Sequence, residues 1–185
     1  MKPLLVLVCG APGAGKSTLA KELAPWLGLP LLMRDELQEV LYDTIGAPDE
    51  AAKPGYGRAS YELLYAVARR LLEAGVGVVV ESNFMRGWAE PQVAPLAERA
   101  RTVMVHCATR EPEETVRRYV ERAERGERHP GHLDATVVGR LREGLAAGRY
   151  EPMEIPAEVI RVDTSEGCVP GVEEIVGVTG GLHGE

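Results

Sequence analysis

The sequence predicts an α/β protein in which helices cover a five-stranded parallel sheet. Three observations carry this prediction. Short β-type runs alternate with longer stretches of helical periodicity, the pattern of repeated strand–helix units. The first run, PLLVLVC at 3–9, is apolar throughout, as a central parallel strand buried on both faces must be. The 185 residues suit a single domain spanning 1–185, with no internal repeat and no dividing linker.

The elements follow in order. After the strand at 3–9, GKSTLAKELAPWLG (15–28) opens a helix that Gly28 can close. LPLLM (29–33) is a short second strand, and DELQEVLYDTIG begins another helix. Residues 46–58 are rich in Gly and Pro and read as a surface loop. Apolar residues at three- and four-residue spacing make 59–75 a helix, and VGVVVESNF (76–84) is the third strand. A helical stretch at 88–100 precedes the fourth strand at 101–107 and a charged helix at 111–127. RHPGH (128–132) reads as a loop, 133–148 as a helix, 157–165 as the last strand and 169–178 as a short final helix. The tail TGGLHGE is expected to fray.

Composition narrows the class. An apolar fraction of 45% and a charged fraction of 26% are those of an ordinary soluble globule. No apolar run approaches the roughly 20 residues of a membrane helix. The opening MKPLLVLVCGAPG has the flavour of a short signal peptide, but its apolar run leads into a glycine-rich loop and reads as a strand, so a cytoplasmic location and no membrane partner are expected. Cys9, Cys107 and Cys168 are odd in number and widely spaced, which gives neither a disulfide framework nor a zinc site. A net charge of −7 disfavours a dedicated nucleic-acid binder but permits a local pocket for a nucleic-acid end.

Gly10-Ala11-Pro12-Gly13-Ala14-Gly15-Lys16-Ser17 satisfies G-x-x-x-x-G-K-[ST] at every fixed position, between a buried strand and a helix that continues through Thr18. Backbone N–H groups must curl around an oxygen-rich anion there, and side chains would obstruct them. The helix N-terminus adds unsatisfied donors and the positive end of its dipole. Lys16 is then expected at the β- and γ-phosphates and Ser17 as a ligand to Mg²⁺. The dinucleotide fingerprint G-x-G-x-x-G cannot be written over these glycines. The guanine-selective N-K-x-D pattern is absent, which leaves ATP as the expected nucleotide.

Asp35 lies 18 residues beyond Ser17, at the carboxyl end of the second strand, where ligands of open α/β sheets bind. It could accept the proton of an attacking hydroxyl, or it could cap the helix that starts there. GAPGAGKSTLA, MRDEL and VVVESNF together resemble the P-loop kinases related to the 5′-hydroxyl polynucleotide kinase domain. Zeta-toxin-type sugar-nucleotide kinases and chloramphenicol phosphotransferase are more distant relatives of the same layout. The resemblance covers most of the chain and implies a three-layer P-loop NTPase fold with an arginine-bearing lid near 110–135, Asp35 as general base, and Arg34 and Asn83 beside the acceptor. Such polynucleotide kinases often carry an arginine three residues after the aspartate; here the residue is Gln38.

Glu81 closes the third strand and suits Mg²⁺ held through water, although a polar strand end is the plainer alternative. Thr164, within DTS at the last strand's end, resembles the segment that meets adenine or ribose. Arg118, Arg122 and Arg125 share one helix face, and a lid bearing them would neutralise charge on the transferring group. The resemblance implies catalytic arginines here, and Arg122 and Arg125 are the candidates, with Arg118 toward the substrate. Glu114–Arg118, Glu121–Arg125 and Glu124–Arg128 are also favourable i,i+4 pairs of a solvated helix. His129 and His132 have H-x-x-H spacing but no third ligand. Tyr42, Tyr56 and Tyr61 could stack on a substrate ring or line the core.

The expectation is a Mg²⁺–ATP-dependent kinase acting on a hydroxyl of a nucleoside, sugar, antibiotic or similar metabolite. A polynucleotide 5′-hydroxyl kinase and a nucleotide-dependent switch or ATPase working through a partner are the alternatives.

Overall fold

Strands β1 (Leu4–Cys9), β2 (Leu31–Met33), β3 (Val78–Glu81), β4 (Arg101–Ala108) and β5 (Glu158–Asp163) form one parallel sheet in the order β2-β3-β1-β4-β5. The computed structural model describes residues 2–46, 49, 51–126, 129 and 137–180. Its helices are α1 (Lys16–Leu27), α2 (Arg34–Ile45), α3 (Lys53–Glu73), α4 (Glu90–Ala97), α5 (Pro112–Glu124), α6 (Val137–Ala146) and α7 (Val172–Thr179).

β1 sits at the centre because it can lose both faces to the core. Alternate side chains of a strand point to opposite sides. Val6 and Val8 therefore join Leu19, Leu23 and Ile175 in one apolar layer, while Leu5 and Leu7 join Leu64, Phe84 and Met104 in the other. All of these are at most 1% exposed, and each fully buried side chain contributes roughly 1.5–3 kcal/mol. Cys9 and Cys107 are buried free thiols, each pushed up to about 12 by desolvation.

β1 is flanked by β3 and β4: the chain runs from β1 out to β2 and back to β3 on one side, then crosses past β1 to β4 on the other. That is the switch point, where a crevice opens beyond the carboxyl ends of the strands. The loop between β1 and α1 lies at its mouth. No helix among the described residues is long and apolar enough to cross a membrane.

Two local expectations are corrected. Residues 46–58 are not all loop, because α3 begins at Lys53 and runs 21 residues to Glu73. Pro54 occupies the helix's first turn, where its missing N–H costs nothing, while Gly55 and Gly57 hid the periodicity. Asp35 is not a helix cap: Met33 holds that position in extended conformation, and Asp35 lies within the first turn of α2. The Gly28 stop is as expected, with φ 64° and its N–H donating to the Pro25 carbonyl. Of the expected lid, 127, 128 and 130–136, including Arg128 and His132, lie outside the described residues. So does the tail from 181.

Candidate active site

The loop that follows β1 depends on glycine at points where no side chain fits. Gly10 has φ 135°, and a Cβ there would come within 2.2 Å of the Cys107 carbonyl oxygen. At Gly13, with φ 90°, a Cβ would stand 2.4 Å from the Thr115 carbonyl oxygen. The loop is thus pressed between β4 and α5. The Ala14 N–H donates to the Ala11 carbonyl, closing the turn at 3.1 Å.

Lys16 is 6% exposed, and its Nζ donates to the Ala11 carbonyl oxygen at 2.9 Å. Nζ also stands 3.8 Å from Oε1 of Glu81, which is itself 4% exposed. Burial raises the Glu81 carboxyl above the usual range; Lys16 opposes the shift and the Asp35 charge adds to it. A carboxylate held this way has much to gain from a cation.

Next to Glu81 and Ser82 the chain turns at Phe84, whose φ of 43° is unusual for a bulky residue. Such strain costs about 1–3 kcal/mol and concentrates at functional sites. Phe84 enters the core, while Asn83 lines the cleft.

Asp35 faces the cleft from α2, with Arg34 Nη1 3.1 Å from its Oδ1. The Arg34 guanidinium lies over the Tyr61 ring, 4.8 Å from its centroid. Asp35, Gln38 and Tyr42 form one stripe at i, i+3 and i+7 along the helix, and all three line the cleft. Tyr42 is buried and stacks near Tyr56 at 5.5 Å; Tyr61 pairs with Tyr65 at 5.9 Å. Of these tyrosines Tyr42 lines the cleft, while Tyr65 belongs to the core.

On the opposite side α5 brings Arg118, Arg122 and Arg125 to the same cleft, as their spacing predicts. Arg118 is tightly engaged. Its Nε donates to Glu114 at 2.7 Å, and its Nη1 and Nη2 donate to the Thr164 and Ser165 carbonyls at 2.8 and 2.7 Å. Glu121 pairs with Arg117 at 2.8 Å, a partner the i,i+4 reading of Arg125 did not supply. Thr164 follows directly on β5. Its buried hydroxyl donates to the Ala14 and Ala108 carbonyls at 3.1 and 3.2 Å, so it supports the phosphate loop from behind. His129 stacks on Tyr42 at 5.4 Å and stands 3.1 Å from Asp43.

The cleft measures about 660 Å³. Lys16, Arg118, Arg122 and Arg125 line it from α1 and the α5 arm, and Arg34, Lys53 and Arg140 from α2, α3 and α6. Among the described residues, two carboxylates, Asp35 and Glu81, stand against these seven cations, in a chain whose formal charge is −7. Sequence reasoning missed Lys53, which it placed in a loop, and Arg140, whose helix carries no motif.

A glycine-rich loop at the switch point of this sheet, crossed by an arginine-bearing helix, defines a P-loop NTPase fold of kinase-like layout. Residues 5–148 match the family described as AAA domain, and the chain belongs to that family. A crystal structure from Chloroflexus aurantiacus, provisionally described as a kinase, is 29% identical with a TM-score of 0.85, over 99% of this chain and all of that one. Shikimate kinase from Acinetobacter baumannii, solved with shikimate, shares the fold at a TM-score of 0.59 and 21% identity, covering 95% of this chain and 92% of its own. A chain of the Pnkp1/Rnl/Hen1 RNA repair complex does so at 0.57 and 23%, covering 78% and 46%. Uncharacterized proteins of Mycobacterium tuberculosis and Mycobacterium bovis are 33% identical over 102 residues, 51% of this chain. The chain spans about 20% of the length of those curated relatives.

Proposed function

We propose that the chain is a Mg²⁺–ATP-dependent kinase that phosphorylates a hydroxyl of a small molecule. The observation that carries this reading is the convergence of Asp35, Lys16, Glu81 and the α5 arginines on one cation-rich cleft at the switch point. Its excess of positive charge suits polyphosphate, and the glycine loop suits its oxygens. Bound Mg²⁺–ATP supplies the phosphoryl group and the metal's charge stabilisation. Lys16, the loop backbone from Pro12 to Thr18 and the Ser17 hydroxyl would hold the nucleotide and metal, and the Glu81 carboxylate would add its negative charge beside the metal. Asn83 and Arg34 orient the acceptor. Asp35 takes the hydroxyl proton as the new oxygen–phosphorus bond forms and the bond to the departing diphosphate breaks. Arg122 and Arg125 spread the charge that accumulates on the transferring group and exclude water from it.

Asp35→Asn tests this reading. Loss of a general base lowers transfer by at least ~10²-fold. ATP affinity, measured by calorimetry, should stay within about threefold of the parent, because the substitution leaves the phosphate loop intact. Unchanged turnover would remove Asp35 from the chemistry and favour a nucleotide switch or ATPase.

A further inference from the structure

One orphaned atom in the cleft speaks to the acceptor. Gln38 is 5% exposed; its Nε2 donates to the Tyr42 hydroxyl, and its Oε1 is buried without a partner. A buried acceptor left unpaired costs about 1–3 kcal/mol, so native structures rarely keep one without a use. Gln38 lines the cleft one helical turn beyond Asp35, about 4.5 Å further along the α2 axis, with Oε1 buried in the cleft wall. A hydroxyl on Asp35 therefore brings its neighbouring substituent within reach of Gln38. Arg34 supplies the complement. Its Nε is buried and unpartnered, while Nη1 is turned to Asp35. An N–H of a fixed guanidinium calls for an oxygen acceptor, and an anionic one best of all.

We propose that the phosphoryl acceptor is an anionic polyhydroxylated small molecule, a sugar acid or sugar phosphate in chemical class. Its reacting hydroxyl sits on Asp35, a neighbouring hydroxyl donates to Gln38 Oε1, and its carboxylate or phosphate accepts from Arg34 Nε. The inference rests on the kinase reading and adds the three-point recognition. Gln38 and Arg34 are its specificity residues. A neutral amide suits a second hydroxyl, whereas an arginine at 38 would hold a second anion. Lys53, which lines the same cleft, adds to the positive field around the acidic group.

The test follows labelled γ-phosphate from ATP to gluconate, glycerate and a ribose phosphate. The comparison acceptors are ribose, adenosine and a 5′-hydroxyl oligonucleotide. One anionic polyol should be phosphorylated with kcat/KM at least about tenfold above its neutral counterpart. Gln38→Met, which keeps length and burial, should raise the KM of that polyol about tenfold with kcat little changed. It should also abolish the discrimination between the polyol and its analogue lacking the neighbouring hydroxyl, which a purely structural role would leave intact. Arg34→Gln, which also loosens Asp35, should lower kcat/KM for both acceptors, and at least about tenfold more for the anionic one than for its neutral counterpart. A melting temperature within a few degrees of the parent shows that each variant is folded. Preference for a neutral sugar, the nucleoside or the oligonucleotide overturns the inference and leaves the kinase reading standing; so does unaltered discrimination in Gln38→Met. No transfer to any anionic polyol also overturns it. Phosphate passing to water alone, equally in the parent and in Asp35→Asn, overturns both.

Discussion

The imidazole of His106 on β4 is 4% exposed, and its Nε2–H donates to the Tyr150 carbonyl at 2.9 Å. Burial lowers its pKa below the ordinary 6.5; the Tyr150 bond and Glu151 act the other way, while Arg161 and Lys16 add to the lowering. The unfolded chain therefore binds a proton that the folded chain refuses as pH falls below 6.5. Stability is then full above that pH and declines beneath it, with a slope of at most about 1.4 kcal/mol per pH unit. Urea melts between pH 5 and 7 should show this slope, and His106→Asn should flatten it; an equal slope in both would assign the pH dependence elsewhere. Nothing in the sequence around RTVMVHC announces this, because tautomer and burial are set by α6 and the Tyr150 segment, distant in the chain. Asp35 was legible in position but not in local role, since only the backbone shows that Met33 takes the cap. The orphaned oxygen of Gln38 is likewise a property of the packed helix.

Among elements, α5 shows how a charged helix divides its labour. Arg117 faces Glu114 and Glu121 in exposed ion pairs of the kind that water and salt screen. Arg118, one residue on, ties the helix to the two carbonyls that follow β5. The same segment supports the phosphate loop through Thr164, so hydrogen bonds join α5, the loop and the end of β5. Arg118→Lys removes the fork that spans both carbonyls. The expected result is a rise of about tenfold in the KM for ATP, with kcat reduced less, since charged hydrogen bonds contribute about 1.5–3 kcal/mol before discounting partial exposure. Hydrogen exchange over 163–169 should rise in parallel; a KM within twofold of the parent would separate the clasp from nucleotide binding. The helix and its arginine face were readable from periodicity. The clasp was not, because i,i+4 spacing says nothing of a loop 46 residues away. α3 was only half readable. Its glycines argued for a loop, yet Gly57 lies where α3 meets α2, its Cα side close to Arg34: a Cβ there would stand 3.3 Å from the flexible end of that arginine, Nη2.

At the scale of the molecule, charge and topology pull apart. The chain is acidic overall, yet its cleft gathers seven cations against two carboxylates, drawn from α1, α2, α3, the α5 arm and α6. Topology begins this and packing completes it: Lys16 and Arg34 stand where the chain passes from β1 and β2 into α1 and α2, while α3, α5 and α6 bring their cations over the same rim. The sheet and the phosphate loop were legible because each is written locally, in apolar runs and in glycine spacing. The cleft's charge was not, because it belongs to the assembly. Both apolar layers pack on β1, β3 and β4 of the one sheet, so the chain should melt as one unit. Ligand binding to such a unit is felt everywhere. Mg²⁺–ATP at about 100 times its Kd should add roughly 2.7 kcal/mol. For a domain of this size that raises Tm by about 5–10 °C. Lys16→Ala should cancel the shift while retaining a single transition, because the substitution removes the ammonium and leaves both layers in place. Differential scanning calorimetry reads both outcomes. Two separate transitions would divide the chain into independent units, and an unchanged shift in Lys16→Ala would move the nucleotide away from the glycine loop.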